Sequence, residues 1–495
     1  MSFSLLTEPW IPLVRPDGSR STASITKALL TPVQWAGIDS TNPVECLSLH
    51  RLLLAICHRA IGPGTTDQRG VLLDSWPGQL IESYLQQWAD RFDLFDPVRP
   101  FLQTPALADA GLQPRPHTLL SPDRASGSTR VFWDHSLDAD PAPITPAAAA
   151  LALVAHQQFT PGGLVKALRT SATRGTACGL LIVIPTGQTL QETLGMALVP
   201  QTPANHLLDL PAWEQPALTL DELRTPTPII PTGPAQRYTH LSRAVLLQPG
   251  DTIYLLYGEG LVVEESPIPD PMAAVVSGKD GPRPLLLRED RAMWRDAHAL
   301  FGAEGSIPPE TIRHAAAVCM ARGQFDPISL TAGGLLPDKA KIVLWRLEFR
   351  EFSPALLAQG NAVAAVQSAL DLANTVGGLL DKALWSLCSG WLSHASAGSE
   401  PDKKAVKALR ESIQAMPQFW GMLEPEFWAT AHQLGTGTPA DAALTQWGLT
   451  LRRAIHSSWD HAIQLLGSDG RALAANAKAG PALGRVLAAV GTSGA

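Results

Sequence analysis

Three residues near the C-terminus have types and spacing that could hold a metal ion. His456, Asp460 and His461 fall on one predicted helix, where the four-residue interval places His456 and Asp460 on a shared face. Imidazole and carboxylate groups are common metal ligands, so a metal-dependent nuclease is one hypothesis for this segment. The alternative is a polar helix face that meets solvent or a partner. Since no further ligand follows at matching spacing, we expect no metal site.

A second candidate for chemistry is the segment Phe132-Trp-Asp-His135. Asp134 and His135 could form an acid–base pair, but neighbours in a strand or loop point apart, which disfavours joint catalysis. The sequence also lacks a phosphate-binding loop, a Gly-x-Gly-x-x-Gly fingerprint, a Gly-x-Ser-x-Gly elbow, His-Glu-x-x-His and Cys-x-x-Cys. The motifs therefore predict a protein that is not an enzyme and that needs no cofactor.

One segment is suited to contact a phosphate backbone. No acidic residue occurs between Asp140 and Glu192, and this stretch contains Phe159-Thr-Pro-Gly-Gly163. Gly162 and Gly163 lack side chains, which allows backbone N–H groups to approach an anion or enter a groove. Three cations that could add phosphate contacts follow, namely Lys166, Arg169 and Arg174. The alternative is an ordinary Pro-Gly-Gly turn.

A second glycine pair lies in Thr331-Ala-Gly-Gly-Leu-Leu-Pro-Asp-Lys-Ala340, which we interpret as a loop. Pro337 restricts its backbone, and Asp338, Lys339 and Ala340 form a short tip. A charged, strand-like run from Lys341 follows. The alternative for this segment is a simple hairpin connection.

The elements that would position these segments indicate an α+β fold. Residues 1–352 form a large mixed α/β domain, with helices predicted at Leu47–Ile61 and Leu80–Phe95. Apolar runs at Leu180–Pro185 and Thr252–Tyr257 are typical of strands. Residues 353–495 contain four predicted helical segments, which short connections would fold into an antiparallel four-helix bundle. The segments are 354–394, 402–432, 439–466 and 469–491, with a break or kink expected at Met416-Pro417.

The composition limits the class of protein. The formal net charge of −7 argues against a chain coated in nucleic acid, although it permits a local groove. The sequence has five scattered cysteines, which are typical of free thiols in a reducing compartment. With no run of 18 apolar residues and no cleavable apolar leader, we expect a cytoplasmic protein without membrane contact.

Taken together, the motifs resemble those of one family, the large subunit of the type I-E CRISPR surveillance complex, Cascade. The glycine pair at 162–163 is similar to that family's glycine loop, and Phe132, Trp133 and Asp134 resemble its aromatic loop. The tip at Asp338, Lys339 and Ala340 resembles its wedge loop, and the helical end resembles its C-terminal bundle. Two further segments carry the resemblance, Phe3-Ser-Leu-Leu-Thr-Glu-Pro-Trp-Ile-Pro12 and Asp96-Pro-Val-Arg-Pro-Phe-Leu-Gln-Thr104.

The resemblance implies a function without catalysis. Such a subunit reads a protospacer-adjacent motif in duplex DNA and starts strand separation, and its bundle helps hold the displaced strand. Its aromatic loop contacts the guide RNA and the other Cascade subunits, namely the backbone, small and guide-processing subunits. After the R-loop forms, it recruits a separate helicase–nuclease. The alternative is a protein-binding adaptor of a defence system that does not read DNA.

The sequence departs from the family pattern at two places. Many members carry Gln at the wedge tip, where this chain has Lys339. The family also has a lysine finger in the preceding β-rich region, but the charges around Gly258–Pro271 are acidic and the nearest lysine is Lys279. These differences bear on motif preference and on which residue serves as the finger.

Overall fold

The computed structural model describes residues 1–121, 124, 138, 140–264, 269–339, 341–393 and 400–491. Phe132, Trp133, Asp134 and Ala340 lie outside the described residues. Strands and helices both contribute to the N-terminal part, and helices dominate the C-terminal part, so the predicted α+β class is confirmed.

The strands are short apart from one long hairpin. Their bounds are β1 (Ile11–Val14), β2 (Arg20–Ala23), β3 (Gly37–Ile38), β4 (Arg115–Pro116), β5 (Gly163–Leu164), β6 (Ser171–Ala172), β7 (Ile182–Thr186), β8 (Arg243–Gln248), β9 (Tyr254–Glu259), β10 (Val275–Gly278), β11 (Gly281–Pro284), β12 (Ser306–Ile307), β13 (Ile328–Asp338) and β14 (Lys341–Phe352). They form small sheets with the strand orders β2-β1-β3, β11-β10-β12, β14-β13-β7, β4-β9-β8 and β5-β6.

The helices range from single turns to a helix of 34 residues. Their bounds are α1 (Ile25–Leu30), α2 (Pro43–Ile61), α3 (Thr66–Gly70), α4 (Gly78–Gln87), α5 (Pro146–Phe159), α6 (Leu190–Ala197), α7 (Pro203–Leu208), α8 (Leu220–Arg224), α9 (Pro234–Tyr238), α10 (Ala297–Leu300), α11 (Glu310–Ala321), α12 (Pro354–Ala358), α13 (Gly360–Ser393), α14 (Lys403–Ile413), α15 (Ala415–Gly435), α16 (Ala440–Leu466) and α17 (Gly470–Gly491).

The chain divides into two compact units. The first unit contains residues 1–292 and 306–350, and the second contains residues 293–305 and 351–495. The sequence predicts one boundary between residues 352 and 353. In the structure the second unit begins at residue 351 and also includes the short segment 293–305, which comes earlier in the chain. In that unit Trp294 packs on Phe427 and Phe301 packs on Phe352, with ring centroids 5.1 and 5.7 Å apart.

The core of the first unit surrounds α2. This helix begins after Asn42, whose side chain accepts the backbone N–H of Val44, and Pro43 occupies the first helical position, where a missing N–H costs little. Almost all of its side chains are buried, because α4, α5, α9 and β13 pack around it. The predicted helix at Leu47–Ile61 therefore lies within α2.

The predicted helix Leu80–Phe95 is too long, since α4 ends at Gln87. A 3₁₀ turn follows, and the backbone after it pairs with the N-terminal segment: Leu5 N–H donates to the Phe92 carbonyl and Leu94 N–H to the Phe3 carbonyl. These non-local bonds replace the helical ones. The two predicted strands correspond to β7 and β9, which are displaced by about one or two residues toward the C-terminus.

The second unit contains an antiparallel bundle of α13, α15, α16 and α17. Gly390 near the end of α13 lies beside Ala475 near the start of α17, and Trp459 of α16 donates to Asn476 of α17. Gln418 at the start of α15 donates to Ser457 in the second half of α16. Successive long helices therefore run in opposite directions, as the sequence predicts.

The break in the second helical segment falls at Gln414 rather than at Met416-Pro417. Gln414 adopts the left-handed conformation (φ 57°) between α14 and α15. Pro417 then occupies the first turn of α15, where no intrahelical N–H bond is required.

Within the described residues, one helix, α13, is long and apolar enough to cross a membrane by length and composition alone, whereas the sequence predicts none. Half of its most apolar window is buried inside the protein, against α15, α16 and α17. The central helix of a water-exposed bundle has the same composition, which makes this weak evidence for membrane insertion.

Candidate nucleic-acid interface

The glycine loop closes through a short pair of strands. β5 and β6 pair Gly163 with Ala172 and Leu164 with Ser171. A Cβ at Gly162 would lie 3.1 Å from the Arg174 backbone nitrogen and 3.4 Å from the Ala172 carbonyl oxygen. A Cβ at Gly162 would therefore fit only if the loop backbone gave way by a few tenths of an ångström, so the loop's own packing favours glycine here.

Two buried side chains from one cross-strand pair hold this loop. Arg243 of β8 lies opposite Glu259 of β9, and both are almost completely buried. The Arg243 guanidinium donates to the carbonyls of Pro161 and Thr173, on the two sides of the loop. It thereby fixes the loop's two ends against the sheet. Its Nε also donates to the Tyr257 hydroxyl at 3.1 Å.

Glu259 holds the opposite part of the loop. Its carboxylate accepts the backbone N–H groups of Ala167, Leu168 and Arg169 at 3.2, 2.8 and 3.1 Å. Burial alone would raise the pKa of Glu259, but these three donors and the backbone N–H of Glu259 itself together outweigh it and lower the pKa below its usual value. Sequence reasoning missed Arg243 and Glu259, because their partners lie about 70 to 90 residues earlier in the chain.

The predicted cations of the loop differ in exposure. Lys166 and Arg174 are exposed, while Arg169 is half-buried and donates to the Gly260 carbonyl at 2.6 Å. Burial lowers the pKa of Arg169, with Arg243 acting in the same direction and Glu259 opposing it. Lys166 and Arg174 are therefore free to meet an anion, whereas Arg169 also braces the loop.

The second glycine pair lies in a strand, so the prediction of a loop over Thr331–Ala340 is wrong for most of its length. Gly333 and Gly334 belong to β13, the central strand between β14 and β7. A Cβ at Gly333 would overlap the Arg346 carbonyl oxygen, and one at Gly334 would overlap the Leu180 carbonyl oxygen. Glycine is needed here because backbone crowds the strand on both sides.

The tip of this segment is a hairpin turn, as the alternative interpretation states. Asp338 ends β13, Lys339 occupies the turn, and both are exposed. Lys339 has φ 56° and Lys166 has φ 59°, and positive φ is uncommon outside glycine. The two glycine-containing segments thus each carry a lysine in the left-handed conformation.

Gly179 is hydrogen-bonded to two hairpins that adjoin the glycine loop: the wedge hairpin, formed by β13 and β14, and a second hairpin, formed by β10 and β11. Its N–H donates to the Leu335 carbonyl of β13, and its carbonyl accepts the Leu287 N–H just after β11, both at 2.9 Å. The position of a Cβ at Gly179 is 3.3 Å from the Arg174 guanidinium and 3.8 Å from Pro337. Arg174 and the stem of the wedge hairpin therefore lie side by side.

The second hairpin presents the lysine nearest to the expected finger. β10 and β11 pair from Val275–Pro284 to Gly278–Gly281, and Lys279 lies in the exposed turn between them. Since Leu287 follows β11 and bonds to Gly179, this hairpin originates at the same junction as the wedge hairpin.

A cleft of about 530 Å³ lies next to the glycine loop. It is lined by the loop itself at 160–165, by Leu335 and Ile342 of the wedge hairpin, and by Thr118–Ser121, Arg124 and Asp138. The last group flanks the predicted aromatic loop in sequence. The glycine loop, the two strands next to the wedge tip and the segments on either side of the predicted aromatic loop thus line one cleft.

The residues of the metal hypothesis lie elsewhere, on the bundle. His456, Asp460 and His461 line an open groove of about 880 Å³ together with Arg452 and Arg453. One ring nitrogen of His461 is 3.0 Å from the Ile413 carbonyl. In the described part of the chain, no group of three or more histidine, cysteine, aspartate or glutamate side chains is arranged to hold a metal ion.

Known proteins match this chain along most of its length. The family described as CRISPR-associated protein Cse1 matches residues 4–457. CRISPR-associated protein CasA/Cse1 of Thermus thermophilus is 33% identical, over 99% of this chain and 98% of that protein.

Solved structures give the same result. CasA of T. thermophilus superposes with a TM-score of 0.85 at 30% identity, covering 99% of this chain and 100% of the other. A chain of a CRISPR RNA-guided surveillance complex superposes with a TM-score of 0.79 at 22% identity over 99% and 100%, which shows the fold alone. The resemblance predicted from the motifs is confirmed, and the chain belongs to the CRISPR-associated Cse1 family, the large subunit of the type I-E surveillance complex Cascade.

Proposed function

We propose that this chain is the non-catalytic subunit that reads the protospacer-adjacent motif in duplex DNA and begins strand separation. The observation that carries the proposal is the junction at Gly179, where Arg174 of the glycine loop lies beside Pro337 of the wedge hairpin. A loop that reads the motif and a tip that separates the strands must contact neighbouring base steps. At Gly179 the base of the glycine loop and the base of the hairpin tip lie next to each other, so both could reach such steps.

The chemistry at the junction suits the minor groove. The glycine loop is held on its inner side by Arg243 and Glu259, which leaves Lys166 and Arg174 exposed for phosphate. Backbone and small residues fit the narrow minor groove, whose donor and acceptor pattern is degenerate. Such a reader would accept a few related motifs rather than one fixed sequence.

Lys339 is the residue that we propose as the wedge. Its exposed side chain is at the tip of a hairpin whose stem belongs to a three-stranded sheet. The aliphatic stem could fill an opened base step while the ammonium reaches a phosphate or groove acceptor. Lys279, at the tip of the adjoining hairpin, is the candidate for the lysine finger.

The remaining partners belong to the same proposal. Phe132, Trp133 and Asp134 would hold the subunit on the guide RNA and the other Cascade subunits. The bundle would help hold the displaced strand, for which Arg452 and Arg453 of the open groove supply positive charge. A separate helicase–nuclease would supply cleavage, and the assembly would work in the cytoplasm without membrane contact.

An electrophoretic mobility-shift experiment tests the proposal. Guide-loaded complex with and without this chain is titrated onto a duplex target that carries a suitable motif. We expect tight binding only when the chain is present, and no loss of DNA or ATP when the purified chain is incubated with Mg²⁺, Mn²⁺ or Zn²⁺. If the chain assembles but leaves duplex binding unchanged, it is an adaptor that does not read DNA.

A further inference from the structure

Three basic side chains lie in the interior of the first unit, close enough together for their charges to interact. His58 near the end of α2 is 0% exposed, Arg69 of α3 is 1% exposed and His314 of α11 is 3% exposed. Each comes from a different helix. Basic side chains are seldom buried this deeply unless they are paired.

The hydrogen-bonding capacity of this cluster is largely unused. Arg69 donates one Nη to the Gly62 carbonyl at 2.6 Å, but its buried Nε has no partner. Both ring nitrogens of His58 are also buried without a hydrogen-bond partner, and His314 has at most a weak contact with the Gly195 backbone. Buried polar groups normally meet a partner in the protein, an ordered water or a bound ion, so the unused nitrogens of these side chains leave room for a bound species.

The cluster also lacks a counter-charge. Among the described residues, no carboxylate lies within ion-pair distance of Arg69, whereas the equally buried Arg51 pairs with Asp270 at 2.9 Å. The end of α2 offsets part of the Arg69 charge through the Gly62 carbonyl. That contact does not use Arg69 Nε or the imidazole rings of His58 and His314, which stay available to a bound species.

The protonation states set the charge to be balanced. Burial lowers the pKa of Arg69 to about 10, so it stays charged at neutral pH. Burial lowers the pKa of His58 well below its usual value, and the charges of Arg69, His314 and His206 act in the same direction. For His314, burial and then Arg69 lower the pKa to about 4, while the Gly195 backbone acts weakly in the opposite direction.

Two further groups interact with this cluster: the Cys57 thiol, whose pKa burial raises to about 12, and His206, whose pKa is lowered by burial and then by Arg59, with a smaller contribution from Arg69. The thiol is neutral at neutral pH, as are His58 and His314. The cluster therefore carries a single net positive charge, together with one N–H donor on each neutral imidazole.

From this arrangement we infer that the cluster of His58, Arg69 and His314 binds a monovalent inorganic anion of the chloride class. One anion would balance the one charge and would accept from Arg69 Nε and the imidazole N–H groups. A divalent anion such as sulfate would bring two negative charges, of which only one would be balanced, so an uncompensated negative charge would be buried. The ion would tie α2, α3 and α11 together, which gives it a role in the stability of the first unit.

Crystals of the full chain grown in bromide test the inference directly, because bromide replaces chloride and scatters anomalously. We expect an anomalous peak within hydrogen-bond distance of Arg69 Nε and of a ring nitrogen of His58 or His314. Water-only density at the cluster, or bromide peaks confined to the protein surface, would overturn the inference.

A solution experiment gives an independent readout. Thermal unfolding of the full chain is measured while sodium chloride replaces sodium gluconate at constant ionic strength. Above the dissociation constant, the wild-type midpoint should rise by about 2–3 °C for each tenfold increase in chloride. The Arg69→Gln variant should lose this dependence, and Arg224→Gln, on an exposed helix, should keep it.

If Arg69→Gln does not fold, His58→Leu replaces it, and we expect a weaker chloride dependence than in wild type. A wild-type midpoint that is the same in chloride and gluconate contradicts the inference whatever the variants do.

Discussion

Replacing Glu259 with glutamine tests how the glycine loop is positioned. Glu259 is fully buried and accepts three backbone N–H groups from residues 167–169, one on one carboxylate oxygen and two on the other. Glutamine has nearly the same shape but offers one accepting oxygen and an NH₂ group that cannot accept. At least one of the three N–H groups must then lose its partner, and the negative charge is removed.

The magnitude follows from the bonds that are lost. A hydrogen bond to a charged group contributes about 1.5–3 kcal/mol, and a buried donor without a partner adds its own cost. One or two weakened bonds therefore destabilise the closed loop by roughly 2–4 kcal/mol. Since each 1.4 kcal/mol is a factor of ten, amides of the loop should exchange on the order of 30-fold faster or more.

The pH dependence has a defined sign. Because the folded pKa of Glu259 is lowered, its contribution is fully present above the ordinary glutamate pKa of about 4.3. It is lost as the pH falls from there through the lower folded value. The Glu259→Gln variant should lack this loss, while the two proteins should differ most at neutral pH.

Hydrogen–deuterium exchange of peptides spanning residues 163–170 in the full chain measures the effect. Glu264→Gln is the matched control, since Glu264 is exposed and lies in the segment that follows β9. In the assembled complex, Glu259→Gln should weaken duplex binding without lowering occupancy. Equal exchange in wild type and Glu259→Gln would refute the idea that this carboxylate positions the loop.

Three further expectations concern the wedge and the assembly. Lys339→Ala should slow strand opening on a linear duplex more than on a target already mismatched beside the motif, since opening a base step costs on the order of 1.4 kcal/mol in stacking. Lys339→Gln should keep much of the rate, and equal slowing of both substrates by Lys339→Ala would reduce the lysine to a phosphate contact. Gly333→Ala should lower the free energy of unfolding of the first unit by about 1–3 kcal/mol, because the new Cβ would overlap the Arg346 carbonyl. A thermal unfolding midpoint equal to that of the wild type would contradict the close packing of β13 against β14. Replacing Phe132 and Trp133 together with alanine should cost about 2–4 kcal/mol of subunit binding, measured as occupancy in purified guide-loaded complex, and wild-type occupancy of a folded double variant would contradict this.

Much of the fold could be predicted because its signals are local. The bundle helices follow from apolar spacing and from breakers between them, and the resemblance rests on short motifs distributed along the chain. The position of the break at Gln414 could not be predicted, since the sequence offers Met416-Pro417 as a stronger breaker and a left-handed glutamine has no sequence signal of its own.

The site was harder to predict because its supports are distant in sequence. Glu259 lies in a region whose acidic charge opposes DNA binding, yet its carboxylate faces inward and holds the glycine loop. Gly333 and Gly334 have the composition of a turn, but their glycines accommodate the crowding of a central strand. Only the tertiary neighbours distinguish these alternatives. Whether Gly162, Gly163, Lys166, Arg169 and Arg174 contact DNA stays a prediction.

The most direct test of DNA reading is the binding of guide-loaded complex to a duplex library randomised beside the target, followed by sequencing of the bound fraction. Complexes containing the wild-type chain, Gly162→Asp, Gly163→Asp or Gly162→Ala are compared with complex lacking the chain. We expect a sharp preference for a few related motifs with the wild-type chain and none without it. Gly162→Asp and Gly163→Asp should abolish the preference at full occupancy, since each places a negative charge beside phosphate, whereas Gly162→Ala adds only a Cβ and should retain part of it. The same motif preference in the presence of both aspartate variants, or in the absence of the chain, would contradict the account.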